Sequence, residues 1–359
     1  MRSRRARTLL IAGAAACSGD GVTAPVTPPV TPPVSTNPDT IPLRTLAAAH
    51  GIRLGAAVDQ GFRYTGAAAT QFRGTFTREF SMLTPENDMK HANIHPTQSG
   101  YRFDPSDSLV AFAQLNGMQV RGHTLVWHSQ LASWMTARTW TAAETRALLD
   151  DHVTTVVTHF RGKLAAWDVV NEPLADDGSM RSGFWMDRLG ADYVEQALRT
   201  ARAADPDVAL FINDYNIEGR SPKSDSMYAL ATRLLAKGVP LTGIGFESHF
   251  LVGGLPARAD IASNMARFAA LGLKVQITEL DVRLRLPSTA DQLTTQAQNF
   301  RDVVEVCLQS SACNALVTWG VSDKESWIPA AFTGFGDALL FDSSYNAKPA
   351  FHSVYAALK

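Results

Sequence analysis

Two glutamates stand where short apolar runs of the chain give way to polar residues. Glu172 follows the run 165–170 within the sequence WDVVNEP, and Glu279 ends the run 274–279 within ITELD. Two carboxyl groups that face each other can protonate a leaving oxygen with one member and stabilise an oxocarbenium-like carbon with the other. The pair is therefore suited to cleaving a glycosidic bond, provided that the fold brings the two side chains together.

Other apolar runs end in similar chemistry. Charged, amide, imidazole and indole side chains follow nearly every run, among them Glu86, Asn87, His123, Trp127, Asn171, Tyr215, Glu247, His249, Asp281, Trp319 and Trp327. Asn171 directly precedes Glu172, where its amide can hydrogen-bond a sugar 2-hydroxyl. The three tryptophans offer flat faces on which sugar rings can pack. Seven polar ends of this kind predict one shared site rather than seven unrelated loop starts.

The elements that must position these residues are eight short apolar runs that alternate with stretches of helical period. We predict strands at 52–58, 80–84, 119–127, 165–170, 208–213, 243–247, 274–279 and 315–319. Eight βα units over about 315 residues favour an α/β fold of the (β/α)₈ TIM-barrel type, a single catalytic domain over 43–359, in which all strand ends meet at one face. An open doubly wound sheet that binds a dinucleotide is disfavoured, because no Gly-rich loop follows the first strand.

The N-terminal residues have the features of an export signal. Residues 1–16 combine a basic start, a short apolar stretch and small residues before Cys17, and they are too short to span a membrane. Cys17 is a candidate for lipidation, as in bacterial lipoproteins; the alternative is an ordinary signal peptide. Residues 17–42 are rich in Pro and Thr and predict an extended linker. We expect export to the cell surface or the medium, with membrane attachment only through this anchor.

Charge and cysteine content limit the remaining possibilities. The formal net charge is −1, and loss of the four leader arginines would bring it to −5, which argues against nucleic acid as a partner. Cys307 and Cys313 lie close together in the chain. In an exported protein they can form a disulfide, and two buried free thiols are the alternative.

The motifs resemble those of glycoside hydrolase family 10, the endo-β-1,4-xylanases. Five further segments match that family in order along essentially the whole chain after residue 43: TPENDMK (84–90), RGHTLVWHSQ (121–130), NDYN (213–216), GIGFESHF (243–250) and WGVSDKESW (319–327). The Asn-Glu-Pro sequence alone is shared by related barrel glycosidases. The complete set is far more specific.

The resemblance implies retaining hydrolysis of xylan, with Glu172 as acid/base and Glu279 as nucleophile, and with xylan and xylo-oligosaccharides as ligands. His249 and Asp281 would support the nucleophile, Cys307 and Cys313 would form a disulfide, and no metal or organic cofactor is implied. We expect a monomer. The residues implied to contact sugars are Glu86, Asn87, Lys90, His123, Trp127, Gln130, Asn171, Tyr215, Glu247, His249, Trp319 and Trp327.

Two positions depart from the family pattern. Glu247 stands where Gln is usual, so a third carboxyl group would lie near the nucleophile. Like charges in one site raise some pKa values, and we therefore predict that Glu247 is protonated during catalysis and donates the hydrogen bond that an amide would give. His91 stands where Trp is common, which predicts a weaker outermost donor subsite.

Two other functions remain open from the sequence. A related retaining β-glycanase acting on cellulose or mixed-linkage glucan would need room for the C6 hydroxymethyl group near Trp319 and Trp327. A catalytically inactive, surface-anchored xylan-binding protein would not need both glutamates, and the chain retains both.

Overall fold

A computed structural model describes residues 41–359 of the chain. The predicted leader, Cys17 and the linker up to residue 40 lie outside the described residues. None of the helices in 41–359 is both long enough and apolar enough to cross a bilayer.

Eight parallel strands form the centre of the molecule and close on themselves. Each strand pairs with its neighbour, beginning with Gly55 of the first strand opposite Met82 of the second. Arg53 of the first strand also lies opposite Ala315 of the last, so the barrel is closed. The predicted (β/α)₈ barrel is therefore confirmed. The strands are β1 Arg53–Val58, β2 Met82–Pro85, β3 Gln119–Val126, β4 Ala166–Asn171, β5 Ala209–Asp214, β6 Gly243–Phe246, β8 Lys274–Arg285 and β9 Cys313–Thr318, with the short β7 His249–Leu251 and β10 Phe335–Gly336 beside β8.

The seventh barrel strand is longer than predicted. We expected it to end at Glu279, but β8 continues to Arg285. The extension has partners on both sides, because His249 pairs with Asp281 and Phe335 pairs with Arg285. The other seven boundaries agree with the prediction to within two residues. Extra pairing above the barrel thus holds the segment that carries Glu279.

Helices cover the outside of the barrel. Three of them begin with reciprocal caps, in which Thr141, Ser221 or Thr289 accepts a hydrogen bond from the backbone three residues on. The helices are α1 Leu43–Ala49, α2 Gly66–Glu79, α3 His91–Ile94, α4 Asp104–Leu115, α5 Ser133–Thr136, α6 Ala142–His159, α7 Met186–Leu189, α8 Tyr193–Ala204, α9 Pro222–Ala236, α10 Arg258–Ala270, α11 Ala290–Gln309, α12 Ile328–Ala331 and α13 Pro349–Leu358, with 3₁₀ turns at Gln60–Arg63 and Gly190–Asp192.

A buried ion pair fills the barrel interior beneath the predicted site. The Nε of Arg121 donates to Asp168 Oδ2 at 2.9 Å, and both side chains are almost fully buried. The same Asp168 oxygen lies 3.1 Å from His123 Nδ1. Because a buried charge needs a partner, the pair fixes the side chains of β3 and β4 relative to each other. It thereby sets the position of His123 at the mouth of the barrel.

The disulfide between Cys307 and Cys313 is present, which confirms the prediction, and the alternative of two free thiols is wrong. It links α11 to β9 across six positions of sequence. Closing a loop of this length stabilises a fold by about 2 kcal/mol in the chain-entropy model. We expect the variant with both cysteines changed to Ala to lose about this free energy of unfolding in urea. Reductant should lower the Tm of the unmodified protein and leave that of the variant unchanged. An equal response of both to reductant would contradict this.

Candidate active site

A cleft of about 530 Å³ opens at the carboxyl ends of the barrel strands. It brings together all fourteen residues predicted for catalysis or sugar contact. Asp281, which was predicted to support the nucleophile, does not line the cleft and is fully buried. The residues lining the cleft are Glu86, Asn87, Lys90, His123, Trp127, Gln130, Asn171, Glu172, Tyr215, Asn216, Glu247, His249, Glu279, Arg283, Trp319, Trp327 and Phe332.

Glu172 comes immediately after β4 in a constrained backbone position. Its φ is +50°, a left-handed conformation that costs a non-glycine residue about 1–3 kcal/mol. Two hydrogen bonds hold this conformation. The N–H of Glu172 donates to the carbonyl of Asn213 at 2.8 Å, and Arg181 Nε donates to the carbonyl of Glu172 at 3.0 Å. Asn171 Nδ2 lies 3.4 Å from Glu172 Oε1. The constrained backbone at Glu172 thus directs its carboxyl group into the cleft.

Glu279 lies within β8 and is held through both carboxylate oxygens. Asn213 Nδ2 donates to its Oε1 at 2.7 Å, and His249 Nε2 lies 3.2 Å from its Oε2. The other ring nitrogen of His249 is 3.0 Å from Asp281 Oδ2, which also accepts from Trp327 Nε1 at 2.8 Å. Asp281 and His249 therefore form a fixed support behind this carboxylate.

Asn213 is the centre of the site, a role that the sequence did not suggest. Besides Glu279 it contacts Asn171 Oδ1 at 2.9 Å and Glu247 Oε1 at 3.3 Å, and its own oxygen accepts from the Thr278 hydroxyl at 2.6 Å. Gly245 makes room for it, because a Cβ there would meet Asn213 Oδ1 at 2.0 Å. One buried amide thus connects β4, β5, β6 and β8.

The two glutamates have opposite electrostatic environments. Burial, followed by the nearby negative charge of Glu279, raises the pKa of Glu172. Burial would also raise the pKa of Glu279, but His123 and the hydrogen bond and charge of His249 lower it below its ordinary value. Burial alone would lower the pKa of His249, but Asp281 and Glu279 raise it to about 10, which favours the imidazolium form. The two environments therefore favour the protonated form of Glu172 and the anionic form of Glu279.

Glu247 lies at the floor of the cleft with 2% of its surface exposed. Burial, and then the charges of Glu279 and Glu172, raise its pKa well above the ordinary value. Its Oε1 accepts from Asn213, and its Oε2 lies 4.0 Å from His249 Nε2. This arrangement agrees with a protonated carboxyl group that uses one oxygen as acceptor and leaves the other to carry the proton.

Replacing Glu247 by Gln should move the alkaline limb of the kcat/KM profile to higher pH. Because the pKa of Glu247 is raised, its protonated form persists to higher pH than that of an ordinary carboxyl group and is lost as pH rises further. Gln keeps a donor at all pH values. The alkaline limb of the Glu247→Gln profile would then reflect the titration of Glu172 alone. Glu305→Gln is the control, since Glu305 lies on the outer helix α11 and does not line the cleft. An unchanged limb in Glu247→Gln would contradict a protonated Glu247.

One end of the cleft forms an aromatic and cationic platform. Lys90 Nζ lies 5.0 Å from the ring centre of Trp127 and 6.0 Å from that of Trp319, and burial lowers the pKa of this lysine. Trp319 is 5% exposed and contacts the edge of His123. Lys90 Nζ also donates to Asn87 Oδ1 at 3.1 Å. Flat rings beside fixed hydrogen-bonding groups suit a sugar chain.

Three residues that line the cleft were not predicted. Arg283 follows Glu279 and Asp281 at alternate positions of β8, so strand periodicity could have found it. Asn216 belongs to the NDYN segment but had no role assigned. Phe332, which packs under the guanidinium of Arg283 at 4.3 Å, comes from a loop after the last barrel strand and carries no sequence signal.

A carboxyl group with a raised pKa, a second carboxyl group with a lowered pKa beside His249, and an aromatic platform at the carboxyl ends of barrel strands define a TIM-barrel glycosidase of two-carboxylate mechanism. A family model described as glycosyl hydrolase family 10 matches residues 42–357. The chain belongs to glycosyl hydrolase family 10.

Named relatives and solved structures agree with this. Endo-1,4-beta-xylanase B of Thermotoga neapolitana is 43% identical over 88% of this chain and 90% of its own length, and endo-1,4-beta-xylanase A of Phanerodontia chrysosporium is 42% identical over 88% of this chain and 76% of its own. Xylanase 10B of Thermotoga petrophila, solved with xylobiose, is 43% identical with a TM-score of 0.86 and covers 89% of this chain and 97% of that one.

Proposed function

We propose that this protein is an endo-1,4-β-xylanase that hydrolyses internal bonds of xylan with net retention. Glu172 protonates the leaving oxygen and Glu279 attacks the anomeric carbon, and Glu172 then activates the water that hydrolyses the glycosyl-enzyme. The observation that carries the proposal is the asymmetric pair in one cleft: Glu172 has a raised pKa, and Glu279 has a lowered pKa and two hydrogen-bonding supports.

Water enters this reaction only in the second step. In the first step the Glu279 oxygen forms a bond to the anomeric carbon while the glycosidic oxygen leaves with the proton of Glu172. In the second step Glu172, now a carboxylate, takes a proton from water as that water displaces Glu279. The raised pKa of Glu172 fits this exchange, because the first step leaves Glu279 uncharged and removes the main charge that raises it.

The substrate assignment rests on the relatives and on the fixed walls of the cleft. Trp319 is buried against His123, and Trp327 is held by its hydrogen bond to Asp281, so neither indole is free to give way. A glucose unit adds a C6 hydroxymethyl group that such walls would exclude. We expect the initial rate on xylan to exceed that on carboxymethylcellulose, and Trp319→Ala to shift the ratio towards the glucan. A higher rate of the unmodified enzyme on the glucan would overturn the assignment.

We further propose that the enzyme is exported and acts as a monomer, with Cys17 as the site of lipid attachment. The basic, apolar and small-residue order of 1–16 supports export. The disulfide supports it independently, because such bonds persist in oxidising compartments.

A further inference from the structure

Three histidines cluster inside the protein, outside the residues that line the cleft. His91 begins the short helix α3, His95 follows that helix, and His152 lies in α6; their exposed fractions are 5%, 1% and 0%. One ring nitrogen from each lies within 4.8 Å of the others. The proposed glycosidase mechanism uses none of the three.

The ring nitrogens of the cluster are poorly satisfied. Backbone groups of His91, Gln98 and Leu125 lie close to the rings of His91, His95 and His152 respectively. Among the described residues, no partner with good hydrogen-bond geometry is found for either nitrogen of His91 or for Nε2 of His95 and of His152. The one contact within the cluster joins His95 Nδ1 to His152 Nδ1 at 3.3 Å. Leaving a buried polar atom without a well-formed hydrogen bond costs about 1–3 kcal/mol, so a ligand that pairs with these nitrogens would stabilise the fold.

The spacing of the cluster suits a transition-metal ion. His91 and His95 are four residues apart on one helical turn, closed by a hydrogen bond from the His95 N–H to the His91 carbonyl at 3.0 Å, a spacing common in zinc sites. Zn–N bonds of about 2.0–2.1 Å at tetrahedral angles separate two ligand nitrogens by roughly 3.3–3.4 Å. The His95 and His152 nitrogens are already 3.3 Å apart.

The third ligand, His91, would reach the ion by rotation about its Cβ–Cγ bond. Its ring stacks on His152 and on His95, with ring centres 4.3 and 5.0 Å apart, and packs against Trp134 and Trp185. The rotation therefore exchanges ring contacts for a metal–nitrogen bond. The rings around the cluster, Tyr101 and Trp134, already have polar partners: the Tyr101 hydroxyl donates to Asp151 at 2.9 Å, and Trp134 Nε1 donates to the His95 carbonyl at 3.0 Å. Neither polar group therefore competes for the imidazole nitrogens of the cluster.

We propose that His91, His95 and His152 bind one divalent transition-metal ion of the zinc class. Three imidazoles without a carboxylate favour Zn²⁺, Cu²⁺, Ni²⁺ or Co²⁺ over Mg²⁺ or Ca²⁺, which prefer oxygen. The ion joins α3 to α6 directly after Lys90, so its effect is to stabilise the wall behind one end of the cleft. A ligand that binds only the folded state raises the Tm.

Titration calorimetry of the chelator-treated full-length protein with ZnCl₂ tests this. We expect one Zn²⁺ bound per chain and a higher Tm with Zn²⁺ present. His91→Phe and His95→Phe keep an aromatic ring but remove the nitrogens, and each should raise the Kd at least about tenfold. His159→Phe is the matched control in the same helix α6, since His159 pairs with Asp107 outside the cluster and should leave the Kd unchanged.

A second group, Glu247, His249 and Glu279, could also hold an ion, and it lies in the cleft. Saturating xylobiose and Glu247→Gln distinguish the two places, because neither should change Zn²⁺ binding at the histidine cluster. The proposal is overturned if Zn²⁺ binding is lost in Glu247→Gln but kept in His91→Phe, if xylobiose abolishes it, or if the folded unmodified protein binds no Zn²⁺. The tests with xylobiose and with the unmodified protein need no variant, so they remain informative even if a histidine variant does not fold.

Discussion

Glu279→Ala is expected to lower kcat on xylan at least about 10⁴-fold, because the variant has no oxygen to attack the anomeric carbon. The hydrogen bonds from Asn213 and His249 that prepare this carboxylate would then lack an acceptor. Steady-state rates on xylan measure the loss. Glu305→Ala is the control, since Glu305 lies on the outer helix α11, where its ion pairs with Arg258 and Arg301 are worth little, and its activity should stay unchanged.

Added azide should give a distinctive product with the Glu279→Ala variant. With an aryl xylobioside, azide can form the C–N bond from the face that Glu279 leaves open, while the aryl oxygen departs with the proton of Glu172. The product would be the α-glycosyl azide, of inverted configuration. Recovery of a β-glycosyl azide, or activity on xylan close to that of the unmodified enzyme, would exclude Glu279 as the nucleophile.

Glu172→Ala is expected to show a loss that depends on the leaving group. On xylan kcat should fall about 10²–10⁴-fold, because the departing sugar oxygen needs a proton. An aryl xylobioside whose phenolate leaves unaided should lose much less in the first step, and the glycosyl-enzyme should accumulate, which lowers KM. Measuring kcat and kcat/KM for aryl xylobiosides whose leaving groups differ in pKa tests this directly.

Azide also separates the role of Glu172 from that of Glu279. In Glu172→Ala the intermediate on Glu279 still forms, so azide displaces it from the opposite face and gives the β-glycosyl azide. A loss of kcat/KM that is the same for all leaving groups would contradict the acid role and would indicate that Glu172 only shapes the cleft. The strained backbone at Glu172 makes this control necessary.

The sequence predicted the barrel and the two glutamates well because both depend on local patterns. Apolar runs with polar ends indicate strands whose ends meet at one face, and WDVVNEP and ITELD each carry their glutamate within one segment. The disulfide was predictable for the same reason, since Cys307 and Cys313 are only six positions apart.

Relations between distant segments were not predictable in this way. Asn213 contacts side chains from β4, from β8 and from the residue that follows β6, up to 66 positions away, so no local pattern reveals it as the centre of the site. The extension of β8 depends on pairing with β7 and β10. His91 and His95 show a ligand spacing, but His152 is 57 residues beyond His95 and joins them only through packing of α6.

The central claim is that Glu279 forms a covalent bond to the sugar. An activated 2-deoxy-2-fluoro xylobioside should inactivate the enzyme with time, because the fluorine slows hydrolysis of the glycosyl-enzyme more than its formation. Digestion and mass spectrometry of the inactivated enzyme locate the label. We predict one fluoro-xylobiosyl group on the peptide containing Glu279, and at that residue. A label on Glu172 or Glu247, or inactivation with no covalent adduct, would contradict the account.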